Sequence, residues 1–398
     1  MRGDEMGEER LGTGTQAVWA GEERARQGAH TQIPVVHSVS YGYDDVDHWL
    51  DVALGVESGH IYGRNTNPTV GVFEEKIRLL EGGEAATSAS TGMAAISNTL
   101  FALLAPGKRV VSVKDTYGGT NQIFSSYLPQ YGIDVELCDT SDHDAIESEV
   151  ARGCDLLYLE TPTNPTLKVL DLERLSRAGH AAGAVVVVDN TVATPINQNP
   201  LTLGADLVVH SATKYLGGHA DALGGAVVGR EDLVERIYRY REINGASLHP
   251  MAAYLLVRGM KTLQLRVERQ NANALVVARH LWEHPAVTAV HYPGLDTDPH
   301  HEIASRQMRG YGGMLAFGLR GDFEAVRKFI PALRRVHAAA NLGAVETIVA
   351  APATSSHVEV PAAQRAVLGI PEGLIRYSAG VEDSDDLLAD LDHALSAV

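Results

Sequence analysis

The sequence predicts an α/β protein: a mainly parallel central sheet flanked by helices, a smaller C-terminal α+β domain and an extended N-terminal arm. Three observations predict it. From about Val70 onward, short β-branched runs alternate with helix-like segments, the pattern of strands buried on both faces and joined by helical crossovers. Near Pro250 the pattern turns into a long Arg- and Leu-rich helical stretch followed by a shorter mixed region. The residues before about 65 are rich in Gly, His, Ser and Tyr and show little sustained periodicity.

Taken in order, residues 1–65 cannot bury much alone and are expected to form an arm draped over another surface. VGVFEEKIRLLEGG then repeats apolar residues at helical spacing until Gly82-Gly83 stops it, and STGMAAISNTLFALL reads as a Ser/Thr-capped helix. RVVSV (109–113), DVELC (134–138), DLLYLE (155–160), AVVVVD (184–189) and DLVVHS (206–211) read as strands. DHDAIESEVARG and DLERLSRAGHAAG are helices between them. An α/β domain is thus expected over 66–255. The stretch AAYLLVRGMKTLQLRVERQNANALVVARHL, without proline, reads as a long helix. It leads into an α+β domain over 256–398, marked by GMLAFGLRG, FEAVRKFIPALRR and IRYSAGV.

Composition excludes several function classes. In 398 residues, 50 acidic against 33 basic side chains leave a net charge of −17, which argues against nucleic acid and anionic membrane surfaces as partners. Cys138 and Cys154 are the only cysteines, too few for a disulfide framework or a Cys-rich zinc site, and they fit a cytoplasmic protein. MRGDEMGEER has no apolar stretch of a signal peptide, and no apolar run approaches the ~20 residues that span a bilayer. GTGTQA at 12–17 matches a dinucleotide fingerprint only formally, because no strand precedes it. His300-His301 sits in a Pro- and Asp-rich loop and reads as solvated; no metal site is expected.

The chemistry concentrates in VVVVDNTVATP and DLVVHSATKYLGGHADALGG. One strand ends in Asp189; the next delivers Ser211, Thr213 and Lys214. Ligands of open α/β sheets bind at the carboxyl ends of strands, where these residues fall. A lysine between hydroxyls and a Gly-Gly pair suits a Schiff base beside a phosphate, and Asp189 can pair with a protonated pyridine nitrogen. Together they are the parts needed to hold pyridoxal 5′-phosphate. Ser90-Thr91-Gly92-Met93-Ala94 opens a helix whose free N–H groups can cradle phosphate or form a plain N-cap. Tyr117, past a strand end, can stack on a pyridine ring, and Asn164 can hydrogen-bond the cofactor's phenolic oxygen or simply make a turn.

SATKYLGGHADALGG, YGRNTNPT, STGMAA, YGGTN, ETPTNP and VVVDNT together resemble the Cys/Met-metabolism branch of fold-type I PLP-dependent transferases. That branch includes cystathionine γ-lyase, cystathionine γ-synthase, methionine γ-lyase and the O-acylhomoserine sulfhydrylases. The resemblance runs from about residue 30 to the C-terminus. It implies that Lys214 carries the cofactor as a Schiff base and also moves the substrate proton. Asp189 would keep the ring nitrogen protonated, Tyr117 stack on the ring, Asn164 touch its oxygen, and Gly92, Met93, Ser211 and Thr213 hold the phosphate. Tyr62 and Arg64 would reach the phosphate of the neighbouring subunit, which implies a homodimer with shared active sites and, as usual in the family, a tetramer of two such dimers. Arg376 would grip the substrate α-carboxylate, and Tyr117 would be the acid that assists the leaving group.

The implied reaction is γ-elimination on a sulfur amino acid, giving 2-oxobutanoate, ammonia and a thiol. Three departures bear on the substrate. In AAANLGAVET, Ala340 and Asn341 replace the acidic residue and serine usual in cystathionine-handling members; this favours a smaller thioether such as methionine, with Asn341 at the substrate carboxylate. Against that, Gly119 stands where many methionine γ-lyases carry cysteine, and Arg241-Glu242 replaces their Lys-Asp pair. Methionine and cystathionine both stay open, and γ-replacement, as in cystathionine γ-synthase or O-acylhomoserine sulfhydrylase, is the alternative.

Overall fold

Seven strands form the larger sheet: β1 (Ala85–Ala89), β2 (Arg109–Val113), β3 (Asp134–Cys138), β4 (Leu156–Glu160), β5 (Val185–Asp189), β6 (Leu207–Ser211) and β7 (Gly225–Gly229). A computed structural model of the chain describes residues 11–22, 30–356, 358 and 362–398; the charged N-terminal decapeptide read above lies outside them. The strand order is β1-β7-β6-β5-β4-β2-β3. β2 through β6 run parallel, whereas β7 is antiparallel to both β1 and β6.

The continuous apolar runs are explained by burial on both faces. Alternate residues point to opposite sides, so Val187, Leu156, Tyr158 and Val209 pack with Ile96, Leu100 and Phe124 in one cluster. Val186, Val188, Leu157 and Leu159 pack with Ile146, Val150, Leu172 and Leu175 in another. Each such valine or leucine, fully enclosed, contributes roughly 1.5–3 kcal/mol relative to exposure. The five expected strands are present. β1 and β7, AATSA and GAVVG, were not foreseen, because their small residues carry little β signal.

A second sheet comprises β8 (Val287–His291), β9 (Met314–Leu319), β10 (His337–Ala338), β11 (Ile348–Ala350) and β12 (Leu374–Ser378), in the order β10-β11-β12-β9-β8. Helices Leu263–Glu283, Asp322–Ala332 and Ser384–Leu395 cover it around a separate core that includes Phe317, Phe329, Ile375 and Leu391.

The long helical stretch is not one helix. It breaks into Pro250–Met260 and Leu263–Glu283. The break serves Arg266, a buried residue whose guanidinium donates to Tyr215 O at 2.8 Å, Leu216 O at 3.3 Å and Gly259 O at 2.9 Å. These bonds pin the turn after Lys214, where Gly218 adopts φ +72° and a Cβ would come within 2.1 Å of the guanidinium. Burial lowers Arg266 to about 10, which leaves it cationic at neutral pH.

The arm is not uniform. Helix Thr13–Trp19 packs on the chain's own helix Pro68–Glu81. There the buried Lys76 Nζ donates to Ala17 O at 2.9 Å and Val18 O at 3.1 Å, capping the C-terminal end of that helix beside Glu22. By contrast helix Val46–Ala53 and its flanks expose Val46, Trp49, Leu50, Leu54 and Val56. Among the described residues no helix is long and apolar enough to cross a membrane.

Arg266→Met removes the donors of three carbonyls at once. The expected cost is about 3–5 kcal/mol, read by calorimetry as a melting temperature lowered by several degrees. An unchanged melting temperature would show that the turn holds itself.

Candidate active site

The carboxyl ends of β4, β5 and β6 deliver Glu160, Asp189 and Ser211 to one edge of the sheet, with Glu160 and Asp189 directly opposite in register. The edge is the floor of a cavity of about 300 Å³. Gly92, Met93, Tyr117, Asn164, Asp189, Ser211, Thr213, Lys214 and Arg376 all line it. Nine residues read from separate parts of the sequence are thus brought together.

Two groups were not foreseen as lining. Glu160, Ile96, Thr191, Val192 and Leu223 come from the first sheet's strand ends, loops and the helix Gly92–Leu103, and Leu342, Ser355 and Ser356 come from the second domain, whereas Thr91 belongs to the helix start already read as a phosphate cradle. Glu160 had a signal: like Asp189, it is the acidic last residue of an apolar run. The others have no local signature. Tyr62 and Arg64 do not line this chain's cavity. Both are exposed, and the Arg64 guanidinium lies 5.1 Å over the Tyr62 ring.

The floor carries two buried carboxyl groups. Asp189 Oδ1 accepts from Thr191 N at 3.0 Å, and Tyr158 Oη donates to Asp189 Oδ2 at 3.3 Å. Glu160 Oε2 accepts from Tyr117 N at 2.7 Å. Burial, then the charge of Asp189, push the Glu160 carboxyl well above the usual range. Burial also raises Asp189, but the Thr191 hydrogen bonds and the nearby His210 pull against it.

At one end of the cavity, Thr91 caps helix Gly92–Leu103 by accepting from Ala94 N at 3.0 Å. The cap leaves the N–H groups of Gly92 and Met93 for an anion. Gly92 must be glycine for this start to sit on β6: a Cβ there would meet Ser211 Cβ at 2.6 Å.

Lys214 Nζ donates to Asn341 Oδ1 at 2.7 Å, and Arg376 Nη2 donates to Asn341 O at 2.8 Å. Asn341 therefore bridges the two cations from just behind the cavity wall. Burial, then the charge of Arg376, lower Lys214 to about 8. Arg376, only 4% exposed, is lowered to about 10 by burial; Nη1 donates to Asn164 Oδ1 at 3.3 Å, while Nε is buried with no acceptor among the described residues.

These residues fit pyridoxal 5′-phosphate and an amino acid. A lysine whose amine is lowered to about 8 suits an aldehyde, a buried aspartate without an ion-pair partner among the described residues suits a ring N–H, and the helix start suits a phosphate. The unpaired Arg376 Nε suits a carboxylate. Together with the sheet beneath it, this cavity is that of a pyridoxal 5′-phosphate-dependent enzyme of fold type I.

Comparison with known proteins gives the family. The chain belongs to the Cys/Met metabolism PLP-dependent enzymes, whose family pattern matches residues 14–396. It is 40% identical over 396 residues to an L-methionine γ-lyase of Fusobacterium nucleatum subsp. polymorphum, covering 99% of this chain and 100% of that protein. It is 42% identical over 388 residues to the chloroplastic cystathionine γ-synthase 1 of Nicotiana tabacum, covering 97% of this chain and 72% of that protein. The structure matches a cystathionine γ-lyase from Lactobacillus plantarum, complexed with L-serine, at a TM-score of 0.91 and 36% identity, over 98% of this chain and 99% of that one.

In the cofactor-free protein, Lys214 should react with an acylating reagent along a curve centred near pH 8. Below it the amine is protonated and inert; above it the amine is neutral and nucleophilic. Mass-spectrometric mapping of label across pH checks this, and a midpoint near the ~10.4 of ordinary lysine would contradict the buried, Arg376-facing environment.

Proposed function

We propose that this protein performs γ-elimination on a sulfur amino acid, methionine or cystathionine, which with the uptake of one water releases 2-oxobutanoate, ammonia and a thiol. The observation that carries the reading is the convergence of Lys214 and Arg376 on Asn341 at one wall of a small cavity. There Arg376 can hold a substrate carboxylate while the Lys214 amine reaches Cα. The bound cofactor supplies an electron sink for the pair of electrons left at Cα.

Lys214 would hold the cofactor's aldehyde carbon, Asp189 its ring nitrogen, Asn164 its phenolic oxygen and Tyr117 its ring face. Gly92, Met93, Ser211 and Thr213 would hold its phosphate. Arg376 fixes the α-carboxylate with Asn341 beside it, so that the Cα proton faces Lys214. Lys214, with its amine lowered to about 8, is suited to take that proton and return it elsewhere on the substrate. Tyr117, half exposed at the cavity mouth, gives a proton to the departing sulfur.

Ala340 lines the cavity where a distal ammonium would need a carboxylate, and among the described residues the acidic lining residues, Glu160 and Asp189, lie in the floor. This favours methionine. A specific observation keeps cystathionine and γ-replacement in view: a Cβ at Gly119 would meet Met93 Sδ at 2.8 Å and Tyr117 Cε1 at 3.0 Å. The cysteine of many methionine γ-lyases therefore cannot be accommodated here without displacing Met93.

The working unit is a homodimer in a tetramer of two such dimers, acting in the cytoplasm. Within each chain, 1–65 serves as the arm, 66–255 as the cofactor domain and 256–398 as the domain that supplies Arg376. The exposed Val46, Trp49, Leu50, Leu54 and Val56 form an apolar surface suited to a second copy. The outward Tyr62 and Arg64 would complete that copy's phosphate site. Two buried free thiols, Cys138 and Cys154, fit a reducing compartment.

Purified enzyme should release 2-oxobutanoate from methionine or cystathionine without an added thiol, and Lys214→Ala should abolish both turnover and the Schiff-base absorption band. Silence on both thioethers, with a new thioether formed from O-acetylhomoserine plus cysteine, would move the protein to the γ-replacement enzymes.

A further inference from the structure

Arg241 lies near the C-terminal end of helix Glu231–Asn244 and is 2% exposed. Among the described residues no carboxylate pairs with it closely; Glu74 Oε1 stands at 3.9 Å. Its fork is spent on main-chain oxygens instead. Nη2 donates to Asn65 O at 2.5 Å and Arg64 O at 3.4 Å, and Nη1 donates to Ser88 O at 3.4 Å. The guanidinium also lies 4.9 Å over the Tyr238 ring.

Neighbouring groups hold the same turn. The Asn65 side-chain amide donates to Glu242 Oε1, and Ser247 Oγ donates to Arg64 O at 2.8 Å. The backbone at 64–65 is therefore fixed from inside the chain, while the side chains of Tyr62 and Arg64 stand outside it. A buried cation is costly unless hydrogen-bonded, and Arg241 meets that requirement with the main-chain oxygens of this turn. The other end of the clamp touches Ser88 O, near the end of β1, just before the phosphate-binding loop; Ser90 N in turn donates to Ala246 O at 2.9 Å.

We infer that Arg241 is a positioning residue that acts across the subunit boundary: by clamping the 64–65 backbone it presents Tyr62 and Arg64 to the cofactor phosphate of the neighbouring subunit. This rests on the shared-site reading above. It also gives Arg241 a role other than contact with substrate, since its guanidinium is buried on main-chain oxygens. A lysine at 241 would keep the charge but lose the fork that spans two carbonyls.

The test places the substitution in cis or in trans to a single reporting site. A subunit keeping Lys214 is co-expressed with a large excess of a Lys214→Ala subunit, so that nearly every Schiff-base band comes from a site whose partner lacks it. The readout is the cofactor dissociation constant, followed by loss of that band on dilution. With Arg241→Met in the Lys214→Ala subunit, affinity should fall about tenfold, the scale of one loosened charge-assisted contact. With Arg241→Met in the subunit that keeps Lys214, it should change by less than about twofold. Equal losses in the two arrangements, a loss only in cis, or no loss in either would overturn the proposal.

Arg64→Ala, run in the same two arrangements, tests the underlying reading separately. A loss in trans upholds the shared site, and a loss only in cis, or none, removes it whatever Arg241 does. Where the methionine variant does not fold, Arg241→Lys is read in the same way.

Discussion

Two carboxyl groups that end adjacent parallel strands in register, Glu160 and Asp189, constrain everything built above them. A buried carboxylate is expensive unless hydrogen-bonded or paired, and two side by side cannot both carry charge cheaply. The fold answers with Tyr117 N on Glu160, and with Thr191 N and Tyr158 Oη on Asp189. Behind the strands, His210 Nε2 lies 2.6 Å from Glu81 Oε1, which also accepts from Asn190 Nδ2 at 2.8 Å. The His210 ring is among the groups that hold Asp189 down. The remaining deficit is a positive partner for Asp189, which a protonated pyridine supplies. Binding that favours the folded state in this way stabilises it by mass action.

The same economy governs the cations. Arg266 and Arg376 are both buried, and both are satisfied largely by carbonyl oxygens instead of carboxylates. Arg266 fixes the turn after Lys214, so the amine is aimed by a residue of the helix Leu263–Glu283. Arg376 sits on β12, an inner strand of the second sheet, flanked by β9 and β11. The second domain thus contributes its charge from a rigid element to the edge of the first sheet, and the cavity exists only where the two meet.

Much of this was legible in the sequence, and the reason is physical. Strands buried on both faces announce themselves as β-branched runs, so β2 to β6 and the residues ending them could be read directly. β1 and β7 could not, because they are built from residues small enough for the helix start to pass close by: a Cβ at Gly225 would fall 2.2 Å from Thr91 O. The helix break at 261–262 was hidden because its cause, Arg266, reaches across to a turn about 50 residues earlier. Arg376 reads locally as a surface ion pair, and only the family resemblance singled it out; its burial follows from tertiary packing that no local pattern encodes. Ser355, Ser356 and Leu342 enter the cavity for the same non-local reason.

The proximity of Lys214 and Arg376 carries one more consequence. The charge of Arg376 is a cause of the lowered lysine, second only to burial. A carboxylate bound to Arg376 cancels that repulsion, so Lys214 becomes more basic when an amino acid occupies the site. Linkage makes the effect mutual: the carboxylate binds more tightly to the protein when Lys214 is protonated. The site therefore holds more of its amine neutral before a carboxylate binds than after. Asn341, hydrogen-bonded to both cations through its side-chain and main-chain carbonyls, lies where this coupling passes.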